Sequence, residues 1–109
     1  MKLNAQIELL KLDLPVIINK MNSYAAMRIK SVDIKKLNGM EPQDFTSNTI
    51  LKVLDGRRDW LNASTDDMIA FLMMCLKSEI SHFLEVINKR EITLVDMYDE
   101  KLLSNNYIN

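Results

Sequence analysis

The sequence predicts an all-α domain, a small bundle of three to five helices around one long central apolar helix. Three observations carry this expectation. Apolar residues recur at intervals of three and four through most of the 109-residue chain, the spacing that lines one side of a helix. Punctuation is sparse, at 2 Gly and 2 Pro, and it falls where helices begin and end. The run Met68 to Leu76 is apolar without a break, as in a helix surrounded by protein on every side. With 48% hydrophobic and 27% charged residues, the composition excludes collagen-like, low-complexity and disordered chains. That apolar run is nine residues long, about half a membrane span, and Lys11 and Asp13 interrupt the first apolar segment. Neither a transmembrane helix nor a secretory signal is therefore expected. One cysteine cannot close an internal disulfide, which fits a reducing, cytoplasmic setting.

The elements follow in order. Leu3 to Leu12 carries apolar residues at 3, 7, 9 and 10 between polar ones, a first helical segment. Pro15 suits the first turn of a second helix, because its missing N–H would be an orphan there, and Asp13 is placed to cap it. Pro15 equally suits a kink within one longer helix. Ile17, Ile18, Met21, Tyr24, Ala25 and Ile29 then form a buried stripe. Residues 31–41 read as a connection with one turn in it. Pro42 opens a further helix, with Gln43 and Asp44 in its first turn where negative charge suits the helix dipole. Phe45, Thr49, Ile50, Val53 and Leu54 give it an apolar face, and Gly56 stands where a left-handed cap belongs.

The next segment, Gly56 to Ala63, reads as a loop anchored by Trp60. Ser64, with Asp67 three residues on, resembles a capping box that would start the central helix at Thr65 and carry it to Asn88. Ile80, Phe83, Leu84 and Ile87 are expected inward, and Lys77, Ser78, Ser81, Lys89 and Arg90 outward. Beyond Arg90 the period weakens, and the segment suits a short strand or a short helix followed by a frayed tail. Residues 1–90 are thus expected to form the domain, and residues 91–109 an acidic, partly ordered extension.

Charge is distributed unevenly. Residues 1–40 hold seven Lys/Arg against three Asp/Glu, residues 41–90 six against eight, and residues 91–109 one against four. A net charge of −1 argues against binding duplex DNA by bulk electrostatics, so any nucleic-acid contact must use a local patch. Arg57 and Arg58 beside Trp60 suit a base or a phosphate, or else a solvated loop whose Trp plugs the bundle. Eight methionines suit a pliable binding surface or, more ordinarily, a core. Enzyme chemistry is poorly supplied: there is one His and one Cys, with no phosphate-cradling Gly-rich loop, and no cofactor is expected. Cys75 and His82 stand about 10 Å apart along a helix axis, too far for direct activation. Glu79 and His82 would supply only two metal ligands. A buried Cys and a His at the bundle edge is the plainer reading.

The stretch Glu41 to Phe83 is more specific. It runs Glu-Pro-Gln-Asp-Phe-Thr-Ser-Asn-Thr-Ile-Leu-Lys-Val-Leu-Asp-Gly-Arg-Arg-Asp-Trp, then a short loop, then Asp-Asp-Met-Ile-Ala-Phe-Leu-Met-Met-Cys-Leu-Lys-Ser-Glu-Ile-Ser-His-Phe. With the helix Tyr24 to Ile29 before it, this resembles region 2 of bacterial RNA polymerase sigma factors of the extracytoplasmic-function type. The resemblance implies a small helical bundle and a non-enzymatic role in transcription initiation. Position by position, Asp44, Phe45 and Leu51 match the family helix that docks on the clamp helices of the largest polymerase subunit. Ser47 and Asn48 stand where the family usually has Gln and Glu, which removes a charge and shortens two side chains. Phe71 and Leu72 match the Trp-Leu core pair, and Lys77 and Ser78 the Arg-Asn pair near the face that meets promoter −10 DNA. The implied DNA-binding set is Lys77, Ser78, Ser81, Lys89 and Arg90, joined by Arg57 and Arg58. The implied partners are core RNA polymerase, single-stranded −10 DNA and a regulator of the anti-sigma kind. The rival expectation is a helical protein-interaction or regulatory domain that pairs with a second copy and has lost DNA binding.

Overall fold

A side-chain cap starts the first helix and a proline in the first turn marks the second. Asn4 accepts a hydrogen bond from the Ile7 N–H at 3.0 Å and opens α1, Ala5–Leu10. Pro15 lies in the first turn of α2, Leu14–Ile29, so the proline separates two helices and does not kink one; Asp13 stands at the N-cap position, but its side chain makes no capping hydrogen bond. In this computed structural model, which describes residues 2–108 and the side chains of residues 2–89, two more helices follow: α3, Pro42–Leu54, and α4, Met68–Ile108. The described residues form an all-helical bundle, as expected. No helix among them is long and apolar enough to cross a membrane.

The caps of α3 are the best defined. Glu41 and Asp44 make a reciprocal capping box, with the Asp44 carboxylate accepting from the Glu41 N–H at 2.8 Å. At the other end Gly56 adopts a left-handed conformation (φ +83°) that an L side chain resists, which stops the helix there.

Two boundaries of α4 differ from expectation. The helix begins at Met68, not Thr65, because Asp67 and not Ser64 supplies the cap. Its carboxylate accepts from Ile69 N–H at 3.0 Å and Ala70 N–H at 3.3 Å, while Thr65 Oγ1 accepts from Asp67 N–H at 3.1 Å. Nor does the helix stop at Asn88. It continues to Ile108, 41 residues or about 60 Å at 1.5 Å per residue. Residues 91–108 contain neither Gly nor Pro, and nothing in them obliges a helix to end.

The core forms where α2, α3 and α4 meet, with α1 touching α3. Met21, Val53, Leu72, Leu76 and Ile80 are fully buried, each stabilising the fold by roughly 1.5–3 kcal/mol. Thr49 is buried among them and donates its hydroxyl to Phe45 O at 2.7 Å, so the polar group is satisfied. Phe71 is buried beside Leu72, within the unbroken apolar run Met68 to Leu76. Leu54, expected inward, is half exposed at 47%, because α3 closes its buried arc at Val53. The methionines divide: Met21 and Met68 are core, whereas Met27 and Met74 are exposed.

Candidate functional site

The α3 surface comes first. Asp44, Ser47, Asn48 and Leu51 recur at three, four and seven residues and fall on one face of the helix. Ser47, Asn48 and Leu51 are exposed, Leu51 at 56%, and Asp44 is half-buried where it caps the helix. Phe45 does not belong with them. It is 3% exposed and meets the edge of Phe83 with ring centroids 5.1 Å apart. One step along a helix turns a side chain about 100°, which puts Phe45 inside, and it cannot present its ring to a partner.

The loop between α3 and α4 is built around Trp60, and the plug reading holds. The indole is 3% exposed, lies against Phe71 at 5.3 Å, and donates Nε1–H to Leu3 O at 2.9 Å. Lys2 covers it: the ammonium stands 4.3 Å from the ring and donates to Trp60 O at 3.0 Å and Ala63 O at 2.7 Å. Trp60 has no face left for a nucleic-acid base.

The two arginines beside it are occupied within the chain. Arg57 pairs with Asp55 at 2.8 Å, and its backbone N–H and guanidinium together hold the Asp55 carboxyl below its usual range. Arg58 pairs with Glu79 at 3.2 Å and also donates to Ser78 Oγ at 3.3 Å. Lys52 reaches the same Glu79 from α3. Burial alone would raise the Glu79 carboxyl, but Lys52 and Arg58 outweigh it and hold it below the ordinary carboxylate range. Glu79 is thus the joint of α3, the loop and α4, which removes it as a metal ligand. Its neighbours on that face diverge, since Cys75 is buried, its thiol pushed up by desolvation, while His82 is exposed. Among the described residues no group of three or more His, Cys, Asp or Glu is placed to hold a metal ion.

The outward face of α4 carries Lys77, Ser78, Ser81 and Lys89, all exposed. Lys89 pairs with Glu85 at 3.2 Å, one turn away. The Arg90 side chain lies outside the described residues. One cation that sequence reasoning missed joins this face. Arg28 of α2 donates to Ser81 Oγ at 3.2 Å and to Tyr24 Oη at 2.8 Å. The Tyr24/Arg28 spacing of four was legible, but the pairing of α2 with α4 that brings them to Ser81 was not. Of the residues expected to dock or to contact DNA, Ser47, Asn48 and Leu51 are exposed on α3, Lys77, Ser78, Ser81 and Lys89 are exposed on α4, and Phe45 is buried. Between α3 and α4 runs a groove of about 270 Å³, floored by Phe45 and Phe83 and rimmed by Asn48, Lys52, Glu79 and His82.

Comparison with protein families, with curated proteins and with solved structures finds no match to this chain.

Proposed function

We propose that this domain is a sigma region 2-like module that works without enzymatic chemistry. It docks on the clamp helices of the largest subunit of core RNA polymerase through the outer face of α3. It contacts single-stranded −10 promoter DNA through the outward face of α4, in the cytoplasm where transcription starts. The observation that supports this reading is the stripe of exposed Ser47, Asn48 and Leu51 with half-buried Asp44 on one face of a helix capped at both ends. An α-helical partner needs such a stripe, a few anchors at three-to-four spacing on a scaffold already ordered before binding. A regulator of the anti-sigma kind would act by covering the same stripe.

A pull-down with isolated clamp helices tests the docking half. Asp44→Arg and Leu51→Arg should both abolish retention. Leu51→Arg is the cleaner variant because Leu51 takes no part in capping. A wild-type chain that is not retained removes this half of the proposal.

One observation favours a second reading, a helical interaction module that pairs with a second copy and has lost DNA. Arg57, Arg58 and Lys89, three of the cations assigned to DNA, each have a carboxylate partner inside the chain. Light scattering with a nucleic-acid shift assay separates the two: a dimer indifferent to single-stranded DNA fits only this second reading.

A further inference from the structure

The cations near α4 are not equivalent. Lys52 and Arg58 share Glu79, Arg57 has Asp55 and Lys89 has Glu85. Among the described residues, Arg28 and Lys77 have no carboxylate partner within ion-pair distance. An unneutralised cation contributes its full charge to an incoming anion, whereas a paired one must first be separated from its partner. Arg28 is moreover held in place by neutral groups. Tyr24 Oη accepts from one terminal nitrogen, Ser81 Oγ from the other, and the Tyr24 ring lies 5.8 Å from the guanidinium carbon. Two of its five N–H donors are used, and the rest of the planar fork remains for a ligand. Lys77 stands one turn before Ser81 on the same exposed face of α4, the spacing at which helical side chains are neighbours, and Arg28 reaches that Ser81 from α2.

We propose that Arg28, Lys77 and Ser81 form a phosphate-binding site between α2 and α4 that grips the backbone of single-stranded nucleic acid. This rests on the nucleic-acid half of the function proposed above and moves its anchor away from Arg57, Arg58 and Lys89. Two cations and a hydroxyl match one phosphodiester: the guanidinium takes two oxygens in a fork, the ammonium acts as a point charge, and the hydroxyl donates to the remaining oxygen. Glu85 follows Ser81 by one turn and bounds the patch with negative charge. A duplex, with a phosphate every ~1.7 Å of axis, would be forced against that carboxylate, whereas a flexible single strand can leave after one or two contacts.

The test is fluorescence anisotropy of the full chain with a short labelled single-stranded DNA over a range of salt. Arg28→Gln should weaken binding about 5- to 10-fold and reduce the salt slope by about 0.7, one phosphate contact. Lys77→Gln should reduce the slope equally. Arg28→Lys should keep the slope while losing affinity, since charge survives and the fork does not; it also serves if Arg28→Gln disturbs the fold. Tyr24→Phe should cost a smaller factor by freeing the guanidinium, and Arg57→Gln and Lys89→Gln should each cost less than Arg28→Gln because a carboxylate already neutralises them. Binding that survives Arg28→Gln and Lys77→Gln but is lost on Arg58→Gln overturns the site and leaves the DNA reading standing. Failure of the wild type to bind any single strand ends both. Displacement of the DNA by millimolar inorganic phosphate at constant ionic strength would mark a free-anion site and overturn the nucleic-acid assignment.

Discussion

The two flanks of α4 carry similar side chains to opposite ends. On the flank facing α3 and the Trp60 loop, Lys52 and Arg58 converge on one carboxylate, Glu79, whose side chain is 10% exposed. On the flank facing α2, Arg28 meets only hydroxyls and an aromatic ring. The first arrangement spends its charge on joining three segments. The second leaves charge over. A positive residue near a face therefore does not by itself make a binding face: its worth to an anion depends on what it has already been paired with.

The comparison can be broken from its larger side first. Trp60→Ala should cost about 3–5 kcal/mol, because the indole fills the space beside Phe71 and ties down both the loop carrying Arg58 and the segment at Lys2. Thermal unfolding measures this, and a change under 1 kcal/mol would mean the loop is not held through Trp60.

Glu79→Gln comes next. It should destabilise by about 1–3 kcal/mol at neutral pH, since two cations lose their carboxylate at a site only partly open to solvent. The pH dependence fixes the cause. Glu79 titrates lower in the folded chain than its ordinary value of 4.5, so the unfolded state binds the proton first. The stabilisation is complete above that value and disappears as pH falls through the lower folded value. Wild type and Glu79→Gln should therefore differ in denaturant midpoint at pH 7 and converge at strongly acidic pH. A gap that persists in acid would show the carboxylate charge is not what joins the segments.

Smaller effects sharpen the picture. Asp44→Ala should lose about 1 kcal/mol through the broken capping box, detectable as reduced helicity and a lower unfolding midpoint. Lys77→Ala should change stability by less than about 0.5 kcal/mol, because it is exposed and holds nothing in place. A larger loss would place Lys77 in the structural class with Arg58 and remove it from any binding surface.

Much of this architecture was legible beforehand because its determinants are local. Pro15, Pro42 and Gly56 act through φ angles and missing N–H groups that do not depend on neighbours. The stripe Ile17, Met21, Ala25 and Ile29 is a matter of helical period. The start of α4 lies three residues beyond the one Ser64 predicts because Ser64 and Asp67 are both competent caps, and it is Asp67 that accepts from Ile69 N–H and Ala70 N–H. Its far end lies beyond Asn88 because apolar periodicity, which weakens there, reports which face is buried and not whether the backbone is helical. The resemblance puts Phe45 on a surface, whereas its own place in the apolar stripe with Thr49 and Val53 puts it inside, where it is found.

The sequence by itself determined an all-helical bundle, the bounds of α3 and most of the residues that fill the centre. Tertiary structure alone decided which charges cancel. Glu79 meets Lys52 across 27 positions and Arg58 across 21, and Arg28 finds Ser81 across 53. Helical period places a charge on a face, but the crossing of helices places a counter-charge opposite it, and that geometry exists only once the core has closed.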